Sequence, residues 1–89
     1  MNWKIELTAT AQRGLDRLDP EVARRAREKL EWFIENFEEI THHPLTGDYK
    51  GSLKLRVGDW RIVYEVSNFN QTVHVTAVDH RSKVYKKRR

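Results

Sequence analysis

Lys54, Arg56 and Arg61 fall within eight residues of one another, on either side of the dipeptide Gly58-Asp59. Before the dipeptide, Leu53, Leu55 and Val57 alternate with Lys54 and Arg56. After it, Trp60, Ile62, Tyr64 and Val66 alternate with Arg61, Val63 and Glu65. A period of two marks half-buried strands, and a glycine at the first turn position suits a type II′ hairpin between them. If the apolar set faces a core, Lys54, Arg56 and Arg61 share the opposite face, because successive strand side chains point to opposite sides. The sole acid close to them in sequence is Asp59, at the turn. Cations so placed repel one another, so either they point well out into water or an anion is expected between them. His42, His43, His74 and His80 show no ligand spacing and the chain has no cysteine, so no metal, thiolate or disulfide chemistry is expected.

The charge of the whole chain points the same way. Residues 1–49 hold seven Lys/Arg and ten Asp/Glu, a net of −3, whereas residues 50–89 hold ten and three, a net of +7. Such a split within one small domain implies a basic face for a polyanion rather than generic solubility. The 89 residues form a single domain, 1–89. Apolar runs are too short to span a membrane and residues 1–20 carry no signal-peptide core, so a cytoplasmic protein without membrane association is expected.

The elements that must position these cations can be read along the chain. Trp3 to Leu7 alternates as a strand. A helix starts at Thr8 or Thr10, both N-cap residue types, with Ala11, Leu15 and Leu18 on one side. Asp19-Pro20-Glu21 opens a second helix, with an Asp cap, proline in the first turn and an acid beside it. Val22, Ala26, Leu30, Phe33 and Phe37 make its apolar stripe, flanked by Ala23, Ile34 and Ile40, while Arg24, Arg25, Glu28, Glu31, Glu35 and Glu38 form a solvated face. Thr41 to Gly51 is an irregular connection, Asn68 to Gln71 a second turn, and Val73, Val75 and Ala77 alternate with His74 and Thr76 in a last strand. A strand, two helices and a three-strand meander make an α+β domain, its N-terminal strand and helical hairpin packed on a mainly antiparallel sheet of three to four strands. Tyr64 and the three tryptophans read as core or interface aromatics.

The hairpin stretch from Gly51 to Val66 and the segment from Val75 to Tyr85 resemble the central hairpin and the basic C-terminal motif of RelE/ParE-superfamily toxins. With the opening strand and helical hairpin, the resemblance covers nearly the whole chain, on the RelE side of that superfamily. It implies an mRNA interferase of a type II toxin–antitoxin system, acting on ribosome-bound mRNA in the A site and neutralised by a cognate antitoxin. The implied reaction is attack of a ribose 2′-hydroxyl on the adjacent phosphate, which needs a base, an acid and cationic stabilisation but no metal or other cofactor. By position, Lys54 matches the lysine acting on the 2′-hydroxyl and Arg61 the arginine on the scissile phosphate. Arg81 matches the arginine near the leaving group, and Tyr85 the tyrosine that orients or stacks on the substrate nucleotide. Lys50, Arg56, Lys83 and Lys86 complete the implied RNA-binding set. Ser52 departs from the pattern, since some relatives carry a second lysine there. His80 is the candidate replacement, histidine being the side chain that ordinarily exchanges a proton near neutral pH. The alternatives are a ParE-like toxin that inhibits gyrase and a non-catalytic nucleic-acid-binding relic of a toxin.

Overall fold

Thr8 ends one element and starts the next. Its backbone is extended, with φ −71° and ψ 165°, and its hydroxyl accepts from the Ala11 amide at 3.1 Å. That bond satisfies one of the donors a helix start leaves open. The computed structural model describes residues 3–40, 42–44 and 51–82, with backbone alone at His43 and Pro44. Strand β1 (Lys4–Leu7) leads through Thr8 into α1 (Ala9–Asp16), and α2 (Pro20–Glu35) follows. Asp19 occupies the N-cap of α2, but its side chain makes no capping bond; Pro20 in the first turn sets the start. Asn36 closes the helix by donating its amide nitrogen to the Trp32 carbonyl at 2.9 Å, and a 3-10 turn (Phe37–Glu39) follows. Strands β2 (His43–Pro44), β3 (Leu53–Val57), β4 (Trp60–Ser67) and β5 (Thr72–His80) complete the order.

The strands form one sheet in the order β1-β5-β4-β3-β2. β1 runs parallel to β5 and every other pairing is antiparallel. β2 is only two residues long, so four principal strands carry the sheet, as the sequence implied. Both helices cover one face. Ala11, Leu15, Ala26, Leu30, Phe33 and Phe37 meet Leu55, Ile62, Tyr64, Val73, Val75 and Val78 in a single core. α1 comes so close to β5 that a Cβ on Gly14 would stand 2.7 Å from the Val78 carbonyl oxygen, so only glycine fits without a shift. Among the described residues no helix is long and apolar enough to cross a membrane.

The hairpin expectation holds in detail. Gly58 has φ +60° while Asp59 does not enter the positive-φ region, the combination a type II′ turn requires. β5 departs from its expected alternation. Val63 pairs with Ala77 and Tyr64 with Val75, so Thr76 is an extra residue, a β-bulge. Ala77, expected beside Val73 and Val75, is turned to the other face, and Val78 takes its place in the core. The bulge thereby decides which residues at the end of β5 join the cationic face.

Candidate active site

The β3–β4 register makes Arg56 and Arg61 direct cross-strand partners and sets Lys54 opposite Val63, one step along the same face. Lys54, Arg56 and Arg61 are therefore brought together on the side of the sheet away from the helices. Beyond the bulge, Asp79 becomes the β5 partner of Arg61. Nothing local in the chain sets this acid beside Arg61, because its place depends on a pairing eighteen residues distant and on the extra residue in β5.

Arg61 differs from expectation. Rather than reaching into water it is buried, at 5% exposure, and one guanidinium nitrogen donates to the carbonyls of Gly58 at 2.9 Å and Trp60 at 3.0 Å. The physical reason is that a tight turn leaves backbone oxygens open as acceptors, and a planar guanidinium supplies donors in fixed directions to meet them. Arg56 is exposed and Lys54 half-buried. Ser52, where some relatives have lysine, is buried and donates its hydroxyl to Glu65 Oε2 at 3.3 Å. Glu65 pairs in register with His74, which pairs with Glu6, and His74 Nδ1 lies 3.6 Å from Glu6 Oε1. An acidic row thus borders the cationic one.

The chain leaving β5 returns to the hairpin. The Arg81 amide donates to the Asp59 carbonyl at 2.8 Å, which brings Arg81 to the turn between β3 and β4 with its side chain exposed. His80 pairs in register with Trp60, and the two rings meet edge to face with centroids 5.4 Å apart. Trp60 packs against the helical core, so His80 lies on that side of the sheet, not on the face of Lys54 and Arg61. Its Nδ1 accepts from the Ser82 amide at 3.2 Å and lies 3.1 Å from the Ser82 hydroxyl, so the proton of the neutral ring is on Nε2. Lys50, Lys83, Tyr85 and Lys86 lie outside the described residues.

Tyr64 is a core residue, as expected. Its hydroxyl donates to His42 Nδ1 at 2.5 Å, and His42 Nε2 donates to the Phe37 carbonyl at 3.2 Å, with Phe33 edge-on to both rings. Burial disfavours the phenolate and pushes the Tyr64 hydroxyl up to about 12. The role of His42 was not legible beforehand, since its partners come from α2 and β4. Trp32 is no core aromatic: it is 46% exposed on the outer side of α2.

Residues 5–85 match the family described as the ParE toxin of the type II toxin–antitoxin system parDE. Toxin RelG of Mycobacterium tuberculosis is 26% identical over 87 residues, which cover 98% of this chain and 100% of RelG. Toxin RelE of the same organism is 30% identical over 84 residues, covering 94% of this chain and 87% of that protein. The toxin–antitoxin complex RelBE2 of M. tuberculosis superposes with a TM-score of 0.78 at 26% identity, over 91% of this chain and 100% of that chain. The isolated E. coli RelE toxin shares the fold, with a TM-score of 0.71 at 21% identity over 88% of this chain and 83% of its own. A match that runs from β1 beyond the end of β5, with relatives aligned over most of their own length, leaves one conclusion: the chain belongs to the ParE-toxin family and is a type II toxin–antitoxin toxin of the RelE/ParE superfamily.

Proposed function

We propose that this toxin is a metal-independent endoribonuclease that cleaves ribosome-bound mRNA by attack of a 2′-hydroxyl on the adjacent phosphate. The observation that carries the reading is the convergence on one hairpin of Lys54, Arg56 and Arg61, with Arg81 tethered to the same hairpin's turn through Asp59. The resemblance of the hairpin and C-terminal motif to RelE-type nucleases, and the curated RelG and RelE toxins as relatives, support it. Lys54 is assigned the 2′-hydroxyl and Arg81 the leaving group, while Arg56 and Arg61 supply positive charge for the phosphoryl oxygens. Glu65, through its contact with Ser52, supplies a carboxylate where some relatives have lysine. Tyr85 is assigned to the substrate nucleotide, Lys50, Lys83 and Lys86 to the RNA backbone, and His80 to a supporting place at the strand end. An antitoxin encoded beside the toxin is the expected partner, acidic where it meets the sheet. Solved relatives were captured as toxin–antitoxin complexes.

The test is the end chemistry of mRNA cut in a translating extract: a 2′,3′-cyclic phosphate and a 5′-hydroxyl are expected. A 5′-phosphate product would indicate metal-assisted hydrolysis instead. The second reading, a gyrase inhibitor, is favoured by the family description, which is that of ParE. Intact mRNA together with inhibited DNA supercoiling would establish it.

A further inference from the structure

Arg25, Lys29 and Trp32 recur at i, i+4 and i+7 along α2, which places them on one stripe of the helix. They face Arg56, Val57 and Gly58 across an open cleft of about 510 Å³. Lys29, Trp32 and Arg56 also border an adjoining hollow of about 200 Å³ that reaches Lys54. Lys29 Nζ lies 4.5 Å from the centre of the Trp32 ring. Glu28, the one acid among the described residues of the lining, is held by Arg24 at 2.8 Å, so Arg25, Lys29 and Arg56 dominate the cleft. A separate groove on the other side of α2, about 360 Å³ and lined by Trp3, Ile5, Leu7, Leu15, Leu30 and Ile34, is by contrast mainly apolar.

Three cations around one exposed indole call for a ligand that is both anionic and planar. Single-stranded nucleic acid has these properties at every residue: phosphates for the cations and a base face for the aromatic ring. Among the described residues the cleft offers a protein ligand Trp32 and Val57 as apolar anchors beside three cations, whereas the mainly apolar groove on the other side of α2 suits such a ligand better. We propose that the α2–β3 cleft binds a single-stranded segment of RNA, one base stacked on Trp32 and its neighbouring phosphates on Arg25, Lys29 and Arg56. Arg56 stands on the cationic face, but among the described residues its stretch of β3 is not covered by β2, so it also borders the cleft at the sheet edge, and the segment is continuous with the strand to be cut. The proposal rests on the reading that RNA is the ligand of that face, and it makes α2 part of the substrate-binding surface.

The test is binding of a fluorescein-labelled, 2′-O-methylated twelve-residue oligouridine to the full-length protein, followed by anisotropy at several salt concentrations. This probe has no free 2′-hydroxyl, so binding is read apart from cleavage. Trp32→Ala is expected to weaken binding about fivefold or more, the lower end of base–aromatic stacking. The double variant Arg25→Gln, Lys29→Gln is expected to reduce the slope of log affinity against log salt by roughly 1.4, two phosphate contacts on a single strand. All three positions lie on the outer side of α2, and circular dichroism verifies the fold. Affinity and salt slope unchanged in both variants overturn the proposal, as does an unaltered protein that does not bind the probe. Unchanged oligonucleotide binding with loss of the co-purified antitoxin also overturns it and makes the cleft a protein-binding site. If the variants weaken probe binding but the unaltered toxin leaves mRNA intact, the cleft stands and the nuclease reading falls. If mRNA is cleaved and the variants bind the probe normally, only the cleft falls.

Discussion

A guanidinium nitrogen of Arg61 donates to the Gly58 carbonyl across 2.9 Å, tying the first residue of β4's outer face back to the turn that precedes it. An arginine proposed to meet a phosphate is thus also a brace of the hairpin, and the two roles predict different consequences when it is removed.

Arg61→Ala is expected to lose stability as well as activity. It removes the guanidinium bonds to the carbonyls of exposed Gly58 and half-buried Trp60, at a cost of about 0.5–1.5 kcal/mol. For a domain of this size each kcal/mol corresponds to roughly 4–8 °C in Tm. Cleavage, assayed well below the variant's own midpoint, is expected to fall about tenfold or more. A variant that melts like the unaltered protein would remove the structural role, and a folded one that cleaves at full rate would remove the catalytic one.

Arg81→Ala separates activity from stability. The tether to Asp59 runs through the Arg81 amide, which alanine retains, and the side chain is exposed. Stability is expected to change by no more than about 0.5 kcal/mol, while mRNA cleavage falls about tenfold or more. Full cleavage by this variant would exclude Arg81 from the leaving-group role.

Gly14→Ala is expected to destabilise the fold although alanine is the better helix former. The propensity gain of about 1 kcal/mol is set against a Cβ placed 2.7 Å from the Val78 carbonyl oxygen. That contact forces α1 off β5, and overpacking of this kind costs about 1–3 kcal/mol in addition to the gain it cancels. A Tm equal to or above that of the unaltered protein would show that α1 lifts without loss.

Tyr64 predicts a pH dependence at the alkaline end. Its hydroxyl keeps its proton in the folded state up to about 12, against the ordinary tyrosine value of 10.0 in the unfolded chain. Between those values the folded state binds the extra proton, so stability falls as pH rises and is fully present below 10. Tyr64→Phe is expected to flatten this part of the profile, and to cost about 1 kcal/mol at neutral pH through loss of the bond to His42. Denaturant melts of both proteins from pH 8 to 12 test this; parallel profiles would mean that the phenol titrates alike in both states.

What the sequence determined by itself was local. The alternation of Leu53, Leu55, Ile62 and Tyr64 with Lys54, Arg56 and Arg61 follows from strand sterics, and a glycine before Asp59 suffices for the turn. The cationic face could therefore be read without a structure, as could a start of α1 at Thr8 or Thr10, of which the fold takes Thr8, and the apolar stripe of α2. The remaining features depended on partners far away in the chain. The extra residue Thr76 exists only relative to β4, and it moves Ala77 and Asp79 onto the cationic face while turning His80 towards Trp60. The burial of Arg61 and the aromatic surroundings of His42 likewise arise where separate elements meet. Helical periodicity placed Trp32 on a helix, but its exposure in a cleft depended on where β3 came to lie. Alternation is enforced by each residue's own covalent geometry, whereas bulges, buried charges and clefts are settled by the packing of elements that the chain brings together only on folding.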